Sequence, residues 1–225
     1  MDPKERAARS AVAVVRSGEV LGLGSGSTSM KALQVLAERM RDEGLRIAGV
    51  PTSVATEHEA RRLGIPLTTL DERPQLDLAL DGADQVDERL SAIKGYGGAL
   101  LREKIVARCA RRLLLMVDES KLSEVLDKPV PVEVLPFGTS AARRGLEALG
   151  AQLQLRTAAG KTYVTDNGNH IYDAAFGPIH DPSALARYIA AIPGVIDHGL
   201  FVDLVSELHV GGTDSARVVL RGAGS

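Results

Sequence analysis

The chain has no tryptophan, and aromatic residues make up only 3% of it. That leaves no platform on which unpaired bases could stack. Charge of one sign is also missing. Lys and Arg number 27 against 29 Asp and Glu, a formal net charge of -2, with no acidic or basic block. A nucleic-acid binder carries a basic stripe, so no nucleic-acid partner is expected. One cysteine, Cys109, cannot make an internal disulfide. No apolar run approaches the ~20 residues that span a bilayer, and mean hydropathy is +0.01, so no membrane partner is expected. Asp2, Lys4, Glu5, Arg6 and Arg9 crowd the first ten residues, where a secretory signal would need an apolar stretch. These absences point to a cytoplasmic chain. Its 225 residues fit one large domain or two small ones.

What remains is aliphatic periodicity. The spacing predicts a helix over 4–16, a strand over 19–23, a helix over 31–43 and a strand over 46–50. A helix over 53–63 and strands over 65–70 and 76–80 follow, then a helix over 99–112 and a strand over 113–117. Strands alternating with helices predict an α/β fold, a Rossmann-like parallel sheet with helices on both faces. The pattern changes near Pro129. From there it reads β-α-β-β-α-β, a smaller α+β domain of the split βαβ, ferredoxin-like kind. The expected domains are 1–128 with 206–225, and 129–205. The tail, with strand character over 207–220, is expected to return to the first domain.

In a parallel sheet, ligands sit beyond the carboxyl ends of the strands, so the loops there carry the interest. Gly24-Ser25-Gly26-Ser27-Thr28 follows a strand and opens a helix. Free N–H groups at a helix start attract anions, so this loop reads as a phosphate cradle, or else as a tight turn with a Ser or Thr cap. It lacks the Lys of a Walker loop. It also lacks the third glycine of a dinucleotide fingerprint, because Ser29 stands there.

Asp81-Gly82-Ala83-Asp84 puts two carboxylates at the end of a buried strand. They could move protons or hold sugar hydroxyls; each alone could equally be a turn aspartate. Lys94-Gly95-Tyr96-Gly97-Gly98 is a second glycine-rich loop leading into a helix. Glu103, just inside that helix between Arg102 and Lys104, reads as a base or as an ordinary first-turn glutamate. Lys121 follows another strand end. The five histidines show no metal-ligand spacing, so no metal and no cofactor are expected. An anion cradle, two acids, a lysine and a base suit proton transfer beside the carbonyl of a small phosphorylated substrate.

The stretches 22–28 (GLGSGST), 81–84 (DGAD), 94–98 (KGYGG), 101–104 (LREK), 131–134 (PVEV), 164–169 (VTDNGN) and 192–195 (IPGV) stand in the order and spacing of a known family. The chain resembles the type A ribose-5-phosphate isomerases over essentially its whole length. The resemblance implies interconversion of D-ribose 5-phosphate and D-ribulose 5-phosphate, in the non-oxidative pentose phosphate pathway. It implies an enediolate, no cofactor, and a homodimer or homotetramer. By the same resemblance Glu103 is the base, Asp81 the acid that opens the sugar ring, and Asp84 and Lys94 the groups at the O1/O2 end. Ser25, Gly26, Ser27, Thr28, Gly82, Ala83, Gly95, Tyr96, Gly97 and Lys121 match substrate-binding positions, and Lys4 a further basic residue near the phosphate. Ser25 replaces the family's usual threonine, and Tyr96 a residue that is often glycine. A related isomerase or deaminase acting on an amino-sugar phosphate is a second reading. A sugar-phosphate-sensing domain, which has no use for a base such as Glu103, is a third.

Overall fold

In the computed structural model, which describes residues 1–222, the apolar runs of the chain's first half become strands of one six-stranded sheet. Across the sheet the order is Ala216–Leu220, Val205–Gly211, Leu113–Asp118, Leu78–Gly82, Val20–Leu23 and Ala48–Pro51. All neighbours run parallel except the edge strand Ala216–Leu220, which is antiparallel to Val205–Gly211. After Val20–Leu23 the chain steps to one edge and then returns to the other side. The switch point therefore lies between Val20–Leu23 and Leu78–Gly82, and ligands of such sheets bind past the carboxyl ends of the strands there.

Both faces are covered. Leu21, Leu23, Leu78, Leu80, Leu114 and Met116 bury against Ala7, Ala8 and Ala11 of helix Pro3–Val12 and Ala32, Leu33 and Leu36 of helix Ser27–Asp42. Each such leucine contributes about 1.5–3 kcal/mol. On the opposite face, Val106 of helix Leu100–Cys109 fills the space over Gly22 and Ala79.

The second unit holds a four-stranded antiparallel sheet in the order Val195–His198, Val130–Val134, His170–Ala175, Gln152–Leu155. Helices Thr139–Ala148 and Pro182–Ala190 connect its strands, giving the expected split βαβ. Its core contains Val130, Val132, Val134, Leu146, Tyr172, Ala174 and Ile189.

Three expectations are corrected. The strand expected over 65–70 does not form. Leu67 makes one isolated bridge to Gly49, because Pro66 offers no N–H and a turn at Thr69 follows. The second helix begins at Ser27 rather than at 31, so Ser27 and Thr28 are themselves its first residues. The first helix ends at Val12 rather than at 16, and Arg39 Nη1 donates to the carbonyls of Val12 and Val15 at 2.7 and 3.0 Å.

The division into units also differs from the expected boundaries. Among the described residues one unit comprises 1–83, 102–122 and 204–222; the other comprises 84–101 and 123–203. Residues 84–101 and 123–128 thus group with the smaller unit. Strand Ala92–Ile93 pairs there with Leu200–Phe201, and Gln85 bonds Asp127. The tail does return to the first sheet through Val205–Gly211. Residues 223–225 of the expected 206–225 lie outside the described residues.

Candidate active site

In the first unit the loop 24–28 leaves strand Val20–Leu23 at the switch point. Gly26 caps the helix that follows with φ at 89°; no side chain caps its first turn and no acidic residue sits in it. The helix start therefore leaves first-turn N–H groups without a side-chain cap, as an anion requires, with Ser27 exposed and Thr28 buried beside them. Lys4 Nζ lies 3.0 Å from Ser27 Oγ, to which it donates.

Lys121 belongs to a turn, Glu119–Lys121, that follows strand Leu113–Asp118. Burial pushes the Asp118 carboxyl up. Hydrogen bonds from Ser120 and the charges of Lys121 and Lys4 outweigh it and hold Asp118 below the usual carboxylate range. The two lysines thus serve one end of the sheet, past the carboxyl ends of strands Val20–Leu23 and Leu113–Asp118, which flank Leu78–Gly82.

Asp81 is 3% exposed. Its Oδ1 accepts from Ser25 N at 3.1 Å, Ser29 Oγ at 3.1 Å and Gly82 N at 2.8 Å. Three donors on one oxygen fix how the carboxylate is presented. The loop can approach this closely only because residue 24 is glycine: a Cβ there would stand 2.2 Å from Asp81 Oδ1. Gly82 ends the strand, and Ala83 follows it, half-buried.

Glu103 is 5% exposed. Its place follows from periodicity. Val106 sits over Gly22 and Ala79, and Ala110, just past the helix, bridges Leu76 before the strand. The helix therefore runs opposite to strand Leu78–Gly82. Glu103, one turn before Val106, stands toward the carboxyl end of the sheet, where Asp81 lies two residues past Ala79. Base and acid candidates share one end of the sheet.

A set of residues that the sequence reading did not single out holds the loop from the side. Ser25 Oγ is 2.8 Å from Thr52 Oγ1, 2.9 Å from Ser53 Oγ and 3.1 Å from Thr56 Oγ1. Thr52 Oγ1 donates to Leu23 O and Thr56 Oγ1 to Gly24 O, both at 3.0 Å. The signal was available: PTSVAT at 51–56 leaves the strand that neighbours Val20–Leu23.

In the second unit Asp84 N donates to Ile93 O at 2.8 Å, and Lys128 Nζ donates to Asp84 O at 3.0 Å. Asp84 Oδ2 accepts from Tyr96 N at 3.0 Å, so Asp84 and the loop 94–98 are one assembly. Lys94, 2% exposed, donates its N–H to Gly199 O at 2.8 Å, and its Nζ lies 5.3 Å from the centroid of the Phe201 ring. Gly95 is buried and Gly97 exposed. Tyr96, the departure from the family, donates its hydroxyl to Pro129 O at 3.1 Å. Burial, aided by the Asp84 charge, pushes that hydroxyl up to about 12, so it stays a donor at neutral pH. At Gly98, φ is +83° and a Cβ would meet Tyr163 Oη at 2.1 Å. Among the described residues no group of three His, Cys, Asp or Glu could hold a metal ion, and no helix is long and apolar enough to cross a membrane.

Residues 48–215 match the family model of ribose 5-phosphate isomerase A (phosphoriboisomerase A). The chain is 50% identical to ribose-5-phosphate isomerase A of Rhodopseudomonas palustris strain BisB5, over 98% of each chain. It is 51% identical to that of Methanosarcina acetivorans, over 95% of this chain and 92% of the other. Among solved structures it superposes on ribose 5-phosphate isomerase A from Methanocaldococcus jannaschii with a TM-score of 0.93 and 39% identity, covering 97% and 98% of the two chains. A D-ribose-5-phosphate isomerase in complex with phospho-erythronic acid gives 0.94 at 36% identity, covering 98% and 100%.

Proposed function

Because the chain belongs to the ribose 5-phosphate isomerase A family and interconverts D-ribose 5-phosphate and D-ribulose 5-phosphate, we propose that Glu103 carries the proton between C1 and C2 of the sugar. Asp81 handles the ring. It takes the proton of the anomeric hydroxyl and gives it to the ring oxygen as the C1–O bond breaks, and the open aldehyde results. Glu103 then takes the C2 proton and the C1 carbonyl becomes an enediolate; the O2 proton passes to O1, and the same carboxyl returns its proton to C1 as C2 becomes the ketone. Lys94 and Asp84 act at the O1/O2 end: the ammonium balances the developing oxyanion and the carboxylate orients a hydroxyl. Gly95, Tyr96 and Gly97 line that end, and Gly82 and Ala83 flank the acid.

The phosphate belongs to the corner made by Ser27, Thr28, Gly26, Lys4 and Lys121. Ser25 holds the loop against the hydroxyls of 52–56 while giving its N–H to Asp81. No residue in this scheme needs a cofactor. The chain works in the cytoplasm as a homodimer or homotetramer.

The observation that supports the reading best is the shared end of the first sheet. Glu103, Asp81 and a helix start flanked by two lysines all lie there.

The test is Glu103→Gln, which keeps the shape and removes the basic oxygen. General-base loss costs about 10²–10⁴-fold, so kcat falls by that amount while KM stays within a few-fold. In D₂O the unaltered enzyme places solvent deuterium at C1 of ribulose 5-phosphate, and the Gln variant nearly ceases to. Retained exchange in the variant would move the base to another carboxylate.

A further inference from the structure

We propose that Arg156, clamped by Asp173, is a positioning residue that sets the peptide between Gly95 and Tyr96 and, through it, the Asp84 carboxylate. This rests on the reading above, in which Asp84 and the loop 94–98 act on the sugar.

Arg156 follows strand Gln152–Leu155, sixty residues beyond the loop it reaches. Its Nε donates to Asp173 Oδ2 at 3.0 Å and its Nη2 to Asp173 Oδ1. The pair is largely buried, with side chains 13% and 25% exposed. That edge of the guanidinium is spent on Asp173. The other edge points into the loop: Nη1 donates to Gly95 O at 2.8 Å and to Tyr96 O at 3.3 Å. The guanidinium carbon also lies 6.0 Å from the centroid of the Tyr163 ring, the ring that fills the space at Gly98.

One peptide unit is thus gripped at both ends. Its carbonyl oxygen, that of Gly95, accepts from Arg156; its N–H, that of Tyr96, donates to Asp84 Oδ2 at 3.0 Å. A cation on the carbonyl polarises the amide and strengthens the bond its N–H makes. The peptide cannot rotate without breaking one of the two contacts. Asp173 in turn is a fixed post. It sits in strand His170–Ala175, paired on one side with Pro131 and on the other with Gln154. If the ion pair served the fold alone, nothing would require Nη1 to meet two consecutive loop carbonyls. A lysine could pair with Asp173 or reach the loop, but it lacks the fork that does both.

The experiment uses the full chain with Arg156→Ala, Arg156→Lys and Asp173→Asn. Hydrogen exchange without substrate should show the Tyr96 amide exchanging at least roughly fivefold faster in Arg156→Ala and Asp173→Asn, with the amides of 170–175 unchanged. In turnover of ribose 5-phosphate, both variants should lose about 10–100-fold in kcat/KM. Arg156→Lys should recover thermal midpoint while staying low in activity. In an Asp84→Asn background, Arg156→Ala should cost less than about twofold more, whereas in a Thr28→Ala background its full cost should remain.

The proposal is overturned by an unchanged Tyr96 amide, by Arg156→Lys recovering activity along with stability, or by full additivity with Asp84→Asn. If Arg156→Ala does not fold, Asp173→Asn and Arg156→Lys carry the same comparisons. An unaltered enzyme that fails to turn over ribose 5-phosphate would sink the functional reading, while the exchange result would still judge the positioning on its own.

Discussion

Two glycine-rich loops open helices in this chain, 24–28 and 94–98, and they are held by opposite chemistry. The first rests on a neutral mesh. Ser25 meets three hydroxyls, and two of those close onto the carbonyls of Leu23 and Gly24. The second rests on an ion-paired arginine, a tyrosine ring and a backbone bond to Gly199. In a parallel sheet, the loop after one strand lies beside the loop after its neighbour, so short hydroxyl side chains suffice to join them. The smaller unit has no such neighbour for its loop, and long side chains must cross to it. The first loop is therefore built to face an anion with its helix start, while the carboxylate beside it, Asp81, is fixed by Ser25 N, Ser29 Oγ and Gly82 N. The second is built to hold a carboxylate, Asp84, in one orientation.

The contrast can be broken most severely at Gly98. Gly98→Ala forces a side chain into a left-handed backbone, costing about 1–3 kcal/mol, and drives Cβ into Tyr163. Thermal unfolding should record that loss and kcat/KM should fall with it. Adding Tyr163→Ala should return only part of the stability, because the backbone strain stays. Thr56→Val tests the neutral mesh. It leaves Gly24 O without the donor it has now, a cost of about 1–3 kcal/mol for a buried group, and KM for ribose 5-phosphate should rise while the Glu103-dependent exchange at C1 persists. The cost of Thr56→Val should show little change with salt, because the bonds it removes are between uncharged groups.

Lys4→Ala should be milder, raising KM by roughly 3–10-fold, with the difference shrinking as ionic strength rises, since an accessible cation is screened within about 10 Å at 0.1 M salt. The smallest effect is on pH dependence. Burial pushes His209 below its ordinary value of 6.5 despite the pull of Glu207; its Nδ1 lies 2.8 Å from Ser10 Oγ. The neutral ring's contribution is complete above that ordinary value. It is lost as pH falls from there through the depressed folded value. His209→Asn should flatten the acid-side slope of thermal midpoint against pH, whereas Thr56→Val alone should keep the slope of the unaltered protein.

The parallel sheet and both glycine loops were legible because strands buried on both faces read as short apolar runs and the helices between them keep the period of 3.6. The pair Asp81 and Asp84 was legible because a strand of five residues, four of them buried, ends there. The strand expected over 65–70 failed on one residue, Pro66, whose ring removes a donor that the apolar pattern does not register. The start of the second helix was misplaced because Gly26 caps it with backbone alone, and no side-chain signal marks such a start. Thr52, Ser53 and Thr56 could have been found by asking which loop neighbours 24–28 in a parallel sheet. Arg156 and Asp173 could not. An arginine near a strand end is an ordinary surface residue until the sheet register brings Asp173 beside it. Nor does local pattern show that 84–101 groups with the smaller unit, since that follows from pairing with residues 199–201.

Helix Pro3–Val12, which carries Lys4, is the first element of the chain. Yet it lies against Val205–Gly211, the last parallel strand, with Ser10 and His209 in contact across 199 residues of sequence and Arg6 bonded to Gly212 O. During synthesis the helix therefore emerges long before this part of its seat exists. Closing so long a loop costs little at equilibrium, because the entropy grows only with the logarithm of length, but contacts of such sequence separation form late. The helix that carries Lys4 is thus seated in two stages: a nascent chain stopped ahead of residue 205 already has helix Ser27–Asp42 and strand Leu113–Asp118 for it to pack on, and still lacks the strand whose His209 meets Ser10 and the Gly212 carbonyl that Arg6 bonds.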